Sequence, residues 1–125
     1  MKKKSLFLIL PLFLLTSCIE ESYEGLRVGC TRSLNGTSIK CNYHSDNGSA
    51  IYKIAVKKVP VIKAEIKTVS GEINFSISPK GQESIFARSV TEDASFNIEL
   101  PDLGEYKIVV NTNNHSGSYV FDWSK

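Results

Sequence analysis

The side chains in this 125-residue chain best suited to nucleophilic, redox or metal chemistry are three cysteines and two histidines: Cys18, Cys30, Cys41, His44 and His115. Their spacing favours pairing of thiols over catalysis. No HxH, HxxxH or CxxC run gathers ligands for a metal, and neither GxSxG nor SxxK is present. Both histidines lie in polar, glycine-containing stretches and read as solvated loop residues. Ser45–Ser49, SDNGS, starts like a calcium loop but lacks the later carboxylates such a loop needs, so it reads as a turn. Glu92 and Asp93 are adjacent acids on another turn. The expectation is a non-enzyme without cofactor or metal.

Cys30 and Cys41 bracket the sequence CTRSLNGTSIKC, with four residues between each cysteine and the central Asn35-Gly36. Asn-Gly between alternating residues is a strong signal for a two-residue type I′ hairpin turn, which needs positive φ at both central positions. With that turn, Leu34 faces Thr37, Arg32 faces Ile39 and Cys30 faces Cys41. Cα atoms opposed at a hydrogen-bonded position lie about 5.5 Å apart, a span a disulfide can bridge. A bulge would shift the pair to the closer type of position. The expectation is a Cys30–Cys41 disulfide, which requires an oxidising compartment.

The N-terminus supplies such a compartment. MKKKSLFLILPLFLLTSC opens with Lys2–Lys4, followed by an apolar run from Leu6 to Leu15 that is too short for a mature membrane-spanning helix. This is an export signal, with Leu15-Thr16-Ser17 directly before Cys18. The LTSC stretch resembles the lipobox of bacterial lipoproteins. That resemblance implies cleavage after Ser17, a diacylglycerol thioether on Cys18, palmitate-type acylation and attachment to a membrane. Ile19 is not the aspartate that retains lipoproteins in the inner membrane of many Gram-negative cells. The implied address is extracytoplasmic: the outer membrane of a Gram-negative cell, or the outer face of the single membrane of a Gram-positive one. One cysteine then carries lipid and two pair, leaving none over.

Residues 1–17 form the signal peptide, and what remains is enough for one small domain. Lys+Arg number 15 against 13 acidic residues, but Lys2, Lys3 and Lys4 leave with the signal, so the mature chain is slightly acidic. Its charge gives no case for nucleic acid. Residues 18–25 are polar and acidic and read as a tether, the alternative being an ordered first strand. The domain proper is expected over 26–125.

Nearly every segment of that domain alternates with period two and every break carries turn residues. Strand-like runs cover about 26–32, 37–43, 50–59, 62–69, 72–78, 84–89, 95–100, 104–111 and 118–123. Roughly nine short strands without helical periodicity predict an all-β, antiparallel sandwich. Pro60 marks a corner where the chain changes sheet. The expected core takes Ile73, Phe75, Ile77, Phe96, Ile98, Tyr106, Ile108, Val110, Phe121 and Trp123. Gly104, Tyr106, Ile108 and Val110, then Gly117, Tyr119, Phe121 and Trp123, are similar to the last strands of jelly-roll or immunoglobulin-like sandwiches of the prepeptidase C-terminal type. That resemblance implies a fold and brings no catalytic residue.

Lys53, Lys57, Lys63 and Lys67 share the solvent-facing parity of their strands. If those strands are neighbours, the lysines form a basic stripe, interrupted by Glu65, able to touch an anionic surface; outward lysines also discourage edge pairing. The functional expectation is a membrane-anchored, non-enzymatic binding or envelope-interaction module. Its partners would be the membrane, through the lipid, and an envelope polymer or protein. The alternative is an inhibitor or immunity factor against an attacking enzyme, since SGSYVFDWSK faintly resembles a strand of lipoprotein lysozyme inhibitors.

Overall fold

The structure is a computed structural model that describes residues 19–124. Cys18 and the expected signal sequence lie outside the described residues. Seven strands account for most of the chain: β1 (Glu20–Val28), β2 (Thr31–Asn35), β3 (Ser38–Val56), β4 (Val61–Pro79), β5 (Phe86–Val90), β6 (Ala94–Glu99) and β7 (Gly104–Asp122). All pairings are antiparallel, in the order β1-β3-β7-β4-β5, with β2 also on β3 and β6 also on β4. The all-β, antiparallel expectation holds.

Three strands of 19 residues replace six of the expected short ones. The β3–β7 pairing shifts register at Tyr43/Asp46 and Asp46/Ser49, and the β4–β7 pairing at Thr68/Ser70 and Ser70/Glu72. The shifts lie side by side, so the three strands bend together and each contributes one half to either layer of a sandwich. One layer reads β2, β3, β7, β4, β6 through residues 38–43, 117–122 and 61–68. The other reads β1, β3, β7, β4, β5 through residues 49–56, 104–112 and 72–79. At the bend two backbones approach too closely for a side chain: a Cβ on Gly71 (φ +82) would lie 2.0 Å from the Asn114 carbonyl oxygen, and one on Gly117 (φ +149) 2.0 Å from that of Lys67. Only glycine fits there.

Apolar parity puts Ile39, Tyr52, Ile62, Ile66, Ile73, Phe75, Ile77, Ile108, Tyr119 and Phe121 between the layers, all 2% exposed or less. Aromatic rings cross the gap: Phe75 of one layer meets Phe121 and Phe96 of the other at centroid distances of 5.2 and 5.6 Å. Every expected core residue is buried except Phe96, which is half-buried on the β6 edge. Val56 ends in one layer and Val61 begins in the other, so Pro60 does stand where the chain changes layer. The Pro60 carbonyl there accepts the Leu100 N–H at 2.8 Å.

Two local expectations are corrected. Residues 20–25 are not a tether: Ile19 packs against the core and Glu20–Val28 pairs with Ser45–Lys53 along its whole length. The hairpin turn is also one residue later than expected, with Asn35 facing Ser38, Leu34 facing Ile39 and Arg32 facing Cys41. Asn35 Oδ1 accepts the Thr37 N–H at 3.0 Å and the Ser38 hydroxyl at 3.1 Å, which fixes asparagine at the first corner of the turn. Neither Gly36 nor Thr37 has the positive φ that type I′ requires.

Candidate functional site

The bend carries a buried polar network that sequence reasoning missed. His115 was expected in a solvated loop, yet it is fully buried, because β7 runs through the bend and turns this residue inward. Its Nδ1 lies 2.6 Å from the Tyr43 hydroxyl and its Nε2 2.9 Å from the Thr68 hydroxyl. A neutral imidazole is satisfied there in either tautomer. His44, by contrast, is exposed. Asp46, read as part of a turn, is 2% exposed, accepts a hydrogen bond from the Tyr23 hydroxyl, and faces Arg27 Nε at 3.4 Å. The Arg27 guanidinium lies 4.0 Å from the Tyr23 ring centroid, and its Nη2 is 3.4 Å from the Tyr119 hydroxyl, which in turn meets that of Tyr52 at 2.6 Å. This network closes the side of the sandwich between edge strands β1 and β2. It is a largely buried structural seam.

Burial holds the His115 pKa below its ordinary 6.5, with the Asp46 carboxylate opposing weakly. Unfolding frees the imidazole to take a proton, so its contribution to stability is fully present above pH 6.5 and is lost progressively as pH falls from there through the depressed folded pKa. Denaturant titrations at pH 8 and pH 5.5 should therefore show lower stability at pH 5.5, and His115→Gln should flatten that difference. A wild-type chain equally stable at both values would contradict the burial of a neutral histidine.

Cys30 and Cys41 are thiols whose Sγ atoms lie 4.0 Å apart. The corrected register makes them diagonal neighbours rather than direct partners. Cys41 is buried and its thiol is pushed up to about 12 by that burial, so it is a poor nucleophile as it stands. The lysine stripe does not form. β7 separates β3 from β4, Lys53 and Lys57 belong with one layer, and Lys63 and Lys67 face outward from the other. Tyr119 and Trp123, aromatic residues of the stretch that resembles lysozyme inhibitors, are buried in the core.

The surface site that the strands do build is a cleft of about 680 Å³ on the outer face of the β1-containing layer. Its floor follows the ladder across three strands, Glu20 opposite Lys53 and Lys53 opposite Lys107, with Ala55 and Glu105 beside them. Lys107 is flanked on its other side by Ser78 of β4. The β4–β5 loop forms the wall: the Lys80 N–H donates to the Glu105 carbonyl at 3.0 Å, and the Gln82 N–H to that of Pro79 at 3.0 Å. Lys80 Nζ pairs with Glu105 Oε1 at 3.1 Å, an exposed contact of small energetic weight. Among the described residues, Lys53 and Lys107 have no ion partner. Two like charges directly opposite on adjacent strands destabilise a sheet, and an anion between them relieves this. A shallower groove of about 420 Å³ runs over the other layer past Lys63, Glu65, Asn97 and Asp122. Its single lysine, Lys63, stands opposite Asp122, and no second lysine lines it.

No family model matches the chain and no curated protein does. Several solved structures share its sandwich. TmCBM61, solved in complex with β-1,4-galactotriose, has 14% identity and a TM-score of 0.47 over 86% of each chain. A family 29 carbohydrate-binding module has 12% identity and a TM-score of 0.42, covering 84% of this chain and 86% of its own. The enzymatically active domain of tailspike protein 4 of Bacteriophage CBA120 has 9% identity and a TM-score of 0.38, over 83% of this chain and 18% of its own. Likeness at such identities concerns the fold alone.

Proposed function

We propose that this protein is an exported, lipid-anchored, non-enzymatic binding module of the cell envelope, held to its membrane through Cys18, that engages an anionic envelope component. The observation that carries the binding role is the pair of cross-strand lysines, Lys53 and Lys107, neither in an ion-pair contact among the described residues, on the floor of the cleft. Side chains fixed on strands recognise a ligand at a smaller ordering cost than loop side chains do. The flanking Glu20 and Glu105 carboxylates can accept from ligand hydroxyls, and the Gln82 amide can donate to a phosphate or a hydroxyl oxygen. In the oxidising space outside the membrane, Cys30 and Cys41 would close into a disulfide, each thiol giving up a proton and an electron to an external disulfide oxidant.

Full-length protein in detergent should retain dextran sulfate over neutral dextran, with affinity falling as salt rises. Lys53→Gln combined with Lys107→Gln should weaken that retention at least several-fold, and Lys63→Gln with Lys67→Gln should not. Equal retention of both polymers, or indifference to the first pair of substitutions, would contradict the cleft as the binding site.

A further inference from the structure

The described chain begins beside the cleft. Ile19 packs against the core and Glu20, the next residue, lines the cleft. Two peptide units separate Glu20 from Cys18, so at about 3.3–3.6 Å per residue the anchored cysteine stands within about 7 Å of the cleft rim. A diacylglycerol on Cys18 would place its acyl chains in the bilayer and its glyceryl unit at headgroup depth. The lysines would then stand within about one Debye length of the lipid phosphates.

We infer that the cleft seats the phosphate of an anionic phospholipid headgroup of the membrane that anchors the chain, with Lys53 and Lys107 as its cationic floor and Lys80 at its wall. This deepens the proposed function and rests on the anchor at Cys18. Three ammonium groups and two carboxylates, Glu20 and Glu105, line the cleft, and Lys80 already offsets Glu105. The floor then holds Lys53 and Lys107 against Glu20, which leaves the cleft one net positive charge. Three of the six exposed large apolar side chains, Val59, Ile85 and Leu103, each 42–49% exposed, stand within four residues of the cleft residues Ala55, Gln82 and Glu105, while Leu26, Val28 and Val69 lie by the bend. Scattered apolar residues around a cationic floor suit the boundary between headgroups and acyl chains better than they suit a soluble polymer. The module would then lie against its membrane with a fixed orientation instead of swinging on a tether.

Amine-reactive footprinting of the full-length protein in nanodiscs tests this. One set contains only phosphatidylcholine, and the other contains about one-third phosphatidylglycerol. Labelling of Lys53, Lys107 and Lys80 should slow at least 3-fold in the anionic discs, while Lys40 and Lys63, outward on the far layer, keep their rates. In the Lys53→Gln, Lys107→Gln double variant the protection of Lys80 should disappear. Equal rates in both discs, or a Lys80 that stays protected in the double variant, would overturn the headgroup site. So would full protection of the detergent-solubilised protein by millimolar inorganic phosphate, which would make the cleft a site for soluble anions. The same digests report the mass of the Cys18 peptide. A lipidated Cys18 without lysine protection refutes the headgroup site alone, whereas an unmodified Cys18 removes the anchor and the headgroup site together.

Discussion

Replacing Phe75 by alanine is expected to cost the domain about 3–5 kcal/mol, a large share of the 5–15 kcal/mol that holds a domain of this size folded. The ring is 2% exposed and lies at the centre of an aromatic cluster, with centroids at 5.2 Å from Phe121, 5.6 Å from Phe96 and 5.9 Å from Phe86. Those neighbours come from both layers and three other strands, so the cavity cannot collapse by moving one element. Reversible denaturant unfolding gives the value directly. A loss below about 1 kcal/mol would mean that the two layers do not meet at this ring.

The second large effect belongs to the seam. Asp46→Asn keeps the shape of the side chain but leaves the Arg27 guanidinium, 7% exposed, without its counter-charge. Removing one member of a buried ion pair costs about 3–5 kcal/mol, mostly because the surviving charge is stranded out of water. Tyr23, whose hydroxyl is pushed up to about 12 by burial and by the hydrogen bond to Asp46, can still donate to the amide oxygen. Adding Arg27→Met to Asp46→Asn should therefore recover most of the loss, because no charge then remains buried. A double variant as unstable as the single one would show that the seam acts through packing and not through charge.

The core was legible in the sequence because period-two alternation assigns each side chain to a face without reference to any partner. Ile73, Phe75 and Ile77 needed no more than that. The bend was not legible. SDNGS at 45–49, SG at 70–71 and NNHSG at 113–117 have the composition of turns, and a bulge uses the same residues for the same reason: small or polar side chains tolerate irregular backbone. That these three stretches lie side by side is a fact of long-range pairing, which local composition does not encode. His115 and Asp46 were misjudged through the same error, since a residue in a turn faces water and a residue in a bulge between layers does not. The cleft was half legible: outward parity marked Lys53 correctly, but its partner is Lys107, four strands later in the chain.

The tryptic peptide Cys18–Arg27, recovered from the membrane fraction of cells making the full-length chain, tests the anchored module most directly. Anchoring predicts that this peptide is the mature N-terminus and carries the mass of a diacylglyceryl group on its cysteine. Recovery of the peptide with a free Cys18 thiol, or as part of a chain that still extends through Ser17, would contradict it.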